Sequence, residues 1–243
     1  MIPRYYIVAE RDHELQNPIS ADKLRLLGDR LRLGPDTRVL DIASGRGGPA
    51  VLLATEFGCS IEGIEIAPEF HAVAVERAEE AGLSHRVTFR LGDAAREELG
   101  ESWDVAMCLG ASFVWGSLAG TLDALEPVVR PGGRVVVGEP FWRKLPLPED
   151  YVERDAPFTT LEGTVAIMES GSLRVVSVIA SSEDDFDRYD TLRWRAIEEW
   201  LAESPDDPDA DEIRARHEEH KDTYLRHGRE YLGWAIFVGW KPG

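Results

Sequence analysis

The stretch Val39-Leu40-Asp41-Ile42-Ala43-Ser44-Gly45-Arg46-Gly47-Gly48-Pro49-Ala50 constrains this chain more than any other. An apolar run ends at Asp41, a loop of small residues follows, and Pro49 suits the first turn of a helix. A strand that enters a helix through such a turn leaves backbone N–H groups free at the helix N-terminus, where an anionic group is held favourably. Gly45 and Gly47 allow an approach to the backbone that a Cβ would obstruct.

The same alternation continues on both sides. Arg38–Asp41, Ser60–Glu65, Arg86–Leu91, Trp103–Leu109 and Gly133–Gly138 read as strands, and Pro49–Phe57, Pro68–Ala81 and Leu118–Val129 as helices. Gly58, Gly82 and Pro131-Gly132-Gly133 supply the stops. Strand–helix alternation at this spacing predicts a parallel sheet covered by helices on both faces.

Two flanking regions depart from the pattern. Residues 12–33 read as a helix with Leu24, Leu27 and Leu31 on one face, so 1–34 forms an N-terminal helical cover. Tyr5 and Tyr6 belong to a mobile lid or a disordered tail. After Glu139 comes a proline-rich loop, then two further strands, Leu173–Ala180 and Leu232–Trp240. Residues 182–230 lie between those strands and are too many for a hairpin turn. Phe186, Tyr189, Leu192, Ala196, Trp200 and Leu201 recur there at helical spacing. The segment holds seventeen acidic and eight basic residues, a net −9 against −18 for the whole chain. It is expected to be a helical insertion, a lid over a substrate, within one domain spanning 1–243.

The charge of −18 excludes a nucleic-acid backbone or an anionic membrane as the main partner, since both need a basic footprint. The longest uncharged run, between Asp104 and Asp123, contains Gly110, Gly116 and Gly120 and reads as strand, turn and helix rather than a membrane span. Cys59 and Cys108 sit in apolar stretches as buried thiols, with no metal-ligand spacing. With no apolar signal region at the N-terminus, a cytoplasmic, reducing setting is expected.

The ends of successive strands carry the chemistry. Glu65 ends the second, where a carboxylate accepts from the vicinal hydroxyls of a ribose. Asp93 follows the third and suits an exocyclic amino group, and Gly110 after the fourth again admits a close ligand. All would share the carboxyl edge of one sheet, where open α/β folds bind ligands. Gly45-Arg46-Gly47-Gly48-Pro49-Ala50 also fits G-x-G-x-x-A, with Glu65 twenty residues after Gly45, so a nicotinamide-dependent enzyme is the alternative. Against it, Asp41 puts a negative charge beside the supposed pyrophosphate, and Asp93 has no role in that fingerprint.

This ordered set resembles the class I S-adenosylmethionine-dependent methyltransferases. Asp41 through Gly47 matches their D-x-G-x-G-x-G motif, with Ala43 in place of the first glycine. The resemblance implies cofactor contacts from Asp41, Ser44, Gly45, Arg46 and Gly47. It makes Glu65 the ribose-binding acid, with Ile66 beside the adenine, Asp93 and Ala94 at the adenine edge, and Leu109 along the methionine moiety. It further implies a Rossmann-like seven-stranded, mostly parallel sheet with a final antiparallel strand, and S-adenosylhomocysteine as product. His13-x3-Asn17-Pro18, Gly138-Glu139-Pro140-Phe141-Trp142 and the ending Tyr231 through Phe237 look like a group of bacterial small-molecule methyltransferases. A protein that binds S-adenosylmethionine without turnover, or one that transfers another group from a related sulfonium, is compatible with the same motifs.

Methyl transfer from a sulfonium is an in-line displacement that needs orientation above all, and a base only when the acceptor carries a proton. Glu139, at the end of the fifth strand, and His13, ahead of the N-terminal helix, are the candidate catalytic groups. Trp115 and Trp142 follow the fourth and fifth strands as candidate walls of a substrate pocket.

Overall fold

The computed structural model describes residues 2–243. Its strands are β1 Arg38–Ile42, β2 Ser60–Glu65, β3 Val87–Leu91, β4 Trp103–Leu109, β5 Val129–Trp142, β6 Arg174–Ala180 and β7 Leu232–Trp240. They form one sheet in the order β3-β2-β1-β4-β5-β7-β6. β7 runs antiparallel to both its neighbours, and the other pairings are parallel. The helices are α1 Arg4–Ala9, α2 Ala21–Leu31, α3 Gly48–Phe57, α4 Pro68–Glu80, α5 Leu118–Val128, α6 Leu161–Met168, α7 Glu183–Glu203, α8 Ala210–Thr223 and α9 Arg229–Tyr231.

The central strands are buried on both faces, so neighbouring residues feed opposite cores. Val39, Met107 and Ile236 pack with Leu24, Leu27 and Leu53 on one side. Leu40, Val137 and Phe237 pack with Leu122 and Leu125 on the other. Strand order reverses between β1 and β4, which opens a crevice at their carboxyl ends. β6 ends and β7 begins on that same edge, because Ala180 and Glu139 both pair with Ala235. The long connection between β6 and β7 therefore leaves from and returns to the crevice.

That connection is helical, as expected. Ser182 and Asp185 form a reciprocal capping box that starts α7, and α8 returns toward the sheet through a π turn at Tyr224–Gly228. Tyr5, Val8 and Ala9 of α1 pack against Ile197, Leu201 and Ile213 of α7 and α8. Tyr5 and Tyr6 are thus parts of a docked helix, with Tyr5 buried, rather than of a loose tail.

Two other expectations change. The N-terminal helix does not span 12–33, because residues 12–20 are irregular and α2 starts only after Ser20, whose hydroxyl accepts from the Lys23 amide. Pro18 disfavours helix at Asn17, which accounts for the break. β5 is longer than Gly133–Gly138 because β7 pairs with it as far as Trp142. Beyond Gly138 it has left β4, and Pro140 is tolerated on that open side.

Candidate active site

A cavity of about 840 Å³ lies at the crevice. Its floor is built from Asp41, Ala43, Ser44, Gly45, Glu65, Ile66, Leu109 and Gly110. Its opposite wall comes from Tyr6 and Glu10 of the N-terminal segment, from Phe186, Tyr189, Asp190 and Arg193 of α7, and from His220 and Tyr224. The four α7 residues follow i, i+3, i+4, i+7 spacing, so one face of that helix forms the wall.

The glycine loop turns through left-handed backbone at Ala43 (φ 53°), Gly45 (φ 56°) and Gly47 (φ 75°). Ala43 takes this conformation with a Cβ, at a cost of roughly 1–2 kcal/mol. A Cβ on Gly47 would stand 2.9 Å from that of Ala74, so α4 packs directly on the loop. One on Gly45 would overlap the Gln16 side chain, since the irregular segment 12–20 crosses the loop. Gln16 Oε1 accepts from the Arg46 amide (2.6 Å), and Asn17 Nδ2 donates to the Leu109 carbonyl (3.1 Å).

Glu65 fastens the loop to the end of β2. Its Oε2 accepts from the Gly45 amide (2.8 Å) and its Oε1 from the Ala67 amide (2.7 Å). The side chain is 3% exposed, and burial raises its pKa despite those bonds. Each oxygen keeps a further lone pair for a ligand. Asp41 is fully buried, and its Oδ2 has no hydrogen-bond partner among the described residues. Burial, aided by the Glu65 charge, pushes its carboxyl up to about 8. Ser44 Oγ is also buried and, among the described residues, unpartnered. Unpaired buried acceptors of this kind fit a ligand that brings ammonium and hydroxyl donors.

The sequence-derived residues divide into two groups. Asp41, Ser44, Gly45, Glu65, Ile66 and Leu109 line the cavity. Arg46, Gly47, Asp93 and Ala94 lie outside its lining. Arg46 is tied through its amide to Gln16, and Asp93 accepts from Ala95 N (3.1 Å) and pairs with Arg96.

Glu139 is buried on β5 beneath the cavity and accepts from Ser112 Oγ (3.1 Å), with its carboxyl pushed by burial up to about 7. His13 is 2% exposed; its Nε2 donates to the Tyr189 carbonyl (3.0 Å), and burial lowers its basicity. Neither side chain reaches the lining. Trp142 is spent on packing against Tyr151 and Phe158, and it is Phe158 that reaches the cavity. Trp115 packs half-buried against the core under β4 and β5. The aromatic wall falls instead to Tyr6, Phe158, Phe186, Tyr189, Tyr224 and Trp234.

Sequence reasoning missed Glu10, Gln16, Asp190 and Arg193. The available signal was the presence of Asp190 and Arg193 inside the apolar stripe of α7, where charge is costly unless it serves a site.

A methyltransferase-domain profile matches residues 39–133, and a profile for a family of unknown function matches 165–236. The protein YjhP of Escherichia coli K12 is 36% identical over 242 residues, covering 98% of both chains. A SAM-dependent methyltransferase from Geobacter sulfurreducens, solved with S-adenosyl-L-homocysteine, is 38% identical over 98% of both chains with a TM-score of 0.93. One from Thiobacillus denitrificans, also with S-adenosyl-L-homocysteine, is 37% identical over 98% of both chains with a TM-score of 0.92. With the expected strand order, glycine loop and acidic strand ends all in place, the chain belongs to the S-adenosylmethionine-dependent methyltransferases.

Proposed function

We propose that this enzyme methylates a small molecule enclosed between the strand ends and the helices of residues 182–230. The observation that carries this reading is that one cavity has both walls: the glycine loop on one side, α7 and α8 on the other. Its volume lies in the range of small-molecule sites, and its lining is predominantly apolar and aromatic. The cofactor supplies an electrophilic methyl group when bound. Glu65 takes its ribose hydroxyls, Ile66 flanks its adenine with Asp93 and Ala94 beyond, and Asp41, Ser44 and the Leu109 segment receive its methionine end. Arg46 and Gly47 set the loop's shape from behind. The insertion acts as a lid that orients the acceptor, and orientation is worth up to roughly 7–11 kcal/mol in a displacement of this type. Glu139 and His13 position the wall rather than touch the acceptor.

No helix among the described residues is long and apolar enough to cross a membrane. The buried, unpaired thiols Cys59 and Cys108 suit a reducing compartment, and the cytoplasm is the setting this reading takes. The test is formation of S-adenosylhomocysteine with a metabolite extract, with protein and with nucleic acid as acceptors. We expect label from the methyl group to enter low-mass products only, and no gel shift of RNA or DNA at low salt. Label in nucleic acid or protein, or micromolar binding to either nucleic acid, would overturn the small-molecule reading.

A further inference from the structure

The acceptor end of the cavity differs in chemistry from the cofactor end. Three carboxylates line it, from Glu10, Glu153 and Asp190, against one guanidinium, Arg193. Arg193 stands among these acids: its Nε lies 3.3 Å from Glu10 Oε1 as an ion pair, and its guanidinium covers the Tyr189 ring at 5.3 Å. His220 is held neutral, because burial and the charges of Arg193 and Arg216 push its pKa down to about 4.

Two carboxylates in this wall keep oxygens without a donor. Glu10 is 5% exposed, and its Oε1 accepts from the Tyr189 hydroxyl (2.8 Å). Its Oε2 has no hydrogen-bond partner among the described residues. Nδ1 of His13 lies 3.4 Å from it without forming a hydrogen bond, while Nε2 of the same ring donates to the Tyr189 carbonyl. The Asp190 carboxylate makes no hydrogen bond and no ion pair with any described residue. Burial raises its carboxyl to about 7, against the opposing charge of Arg193. Around these acids stand the rings of Tyr6, Phe186, Tyr189 and Tyr224.

Carboxylates with unpaired oxygens, set among aromatic faces, fit a cation that carries N–H groups and an apolar body. An anionic acceptor would meet three carboxylates against one guanidinium, and a neutral alcohol would satisfy only one acid. Resting on the small-molecule reading above, we propose that the methyl acceptor is an amine, held as its ammonium form by Asp190 and Glu10. In the reaction the ammonium passes one proton to the Asp190 carboxylate. The freed lone pair forms the N–C bond to the methyl group while the C–S bond breaks, its electron pair going to sulfur. The methylated ammonium leaves with S-adenosylhomocysteine, and the proton on Asp190 passes to solvent. A carboxyl that titrates near neutrality suits this exchange.

The test presents matched acceptors to the full chain with S-adenosylmethionine: tyramine and N-methyl-2-phenylethylamine against 2-phenylethanol and 3-phenylpropanoate, followed by a library of low-mass amines, alcohols and acids. Amines are expected to yield S-adenosylhomocysteine and an N-methyl product, and their alcohol and acid counterparts are not. For the best amine, Asp190→Asn should lower kcat/KM by about 100-fold, the scale of a lost proton acceptor. Asp190→Glu should recover most of that loss, and S-adenosylmethionine affinity should stay within a few-fold in both variants, which shows the fold intact. Turnover of alcohols or acids and of no amine would overturn the amine assignment and leave the small-molecule reading standing. Turnover of no small molecule would overturn both, and an Asp190→Asn enzyme as active as the wild type would remove Asp190 from the reaction.

Discussion

Replacing residues 183–230 by a tight turn is expected to abolish turnover while leaving S-adenosylmethionine affinity within a few-fold. The join is local, because Ser181 N already donates to the Trp234 carbonyl (2.8 Å) where β6 and β7 diverge. The excised piece carries the acceptor wall of α7 and α8, whereas Asp41, Glu65 and Leu109 stay on the sheet. Losing the wall exposes the reacting centre to water and releases the acceptor, so the orientation term is lost. The deletion also strips α1 of its packing partners, Ile197, Leu201 and Ile213. Tyr189→Ala in the intact insertion therefore serves as a second test, with folding followed by circular dichroism. It opens the wall and removes the hydroxyl that holds Glu10, and should lower kcat/KM about tenfold or more for a lost buried hydrogen bond to a charged group. A folded deletion variant that kept its turnover and substrate range would reduce the insertion to an ornament.

Glu65→Ala is expected to weaken S-adenosylmethionine binding by about one to two orders of magnitude in a calorimetric titration, because charge-assisted bonds are worth roughly 1.5–3 kcal/mol each. The sequence alone implies little cost to the fold. The structure changes that expectation, since Glu65 also receives the amides of Gly45 and Ala67. Truncation leaves both N–H groups without their partner, at about 1–3 kcal/mol for each one that stays buried. The variant should therefore melt several degrees lower as well. Unchanged affinity would take Glu65 out of the cofactor site. Affinity lost with no change in melting would mean that the carboxylate contacts the ligand without holding the loop.

The first four strands were readable because each is a short, largely apolar run with a proline or glycine within three residues of its end. β1 through β4 begin and end within a residue of the sequence reading. The floor of the cavity was readable for the same reason, since strand ends fix where Asp41, Glu65 and Leu109 stand. What failed depends on tertiary contact. Leu24, Leu27 and Leu31 give α2 its periodicity, but nothing local announces that residues 12–20 must cross the glycine loop and present Gln16 to it. Trp142 and Phe158 are equally apolar, and only the packing of Trp142 under Tyr151 decides which one reaches the cavity. The stripe of α7 was found through Phe186 and Tyr189, while Asp190 and Arg193, one and four residues beyond Tyr189, show what their charge inside it serves only once α1 is docked beside them.

The most direct measurement is a crystal structure of this chain with S-adenosylhomocysteine. The ribose hydroxyls are expected on Glu65, the amino acid end near Asp41 and Ser44, and the sulfur directed toward the wall formed by Tyr189 and Asp190. A nucleoside bound elsewhere, or a sulfur turned away from α7 toward solvent, would contradict the account at its centre.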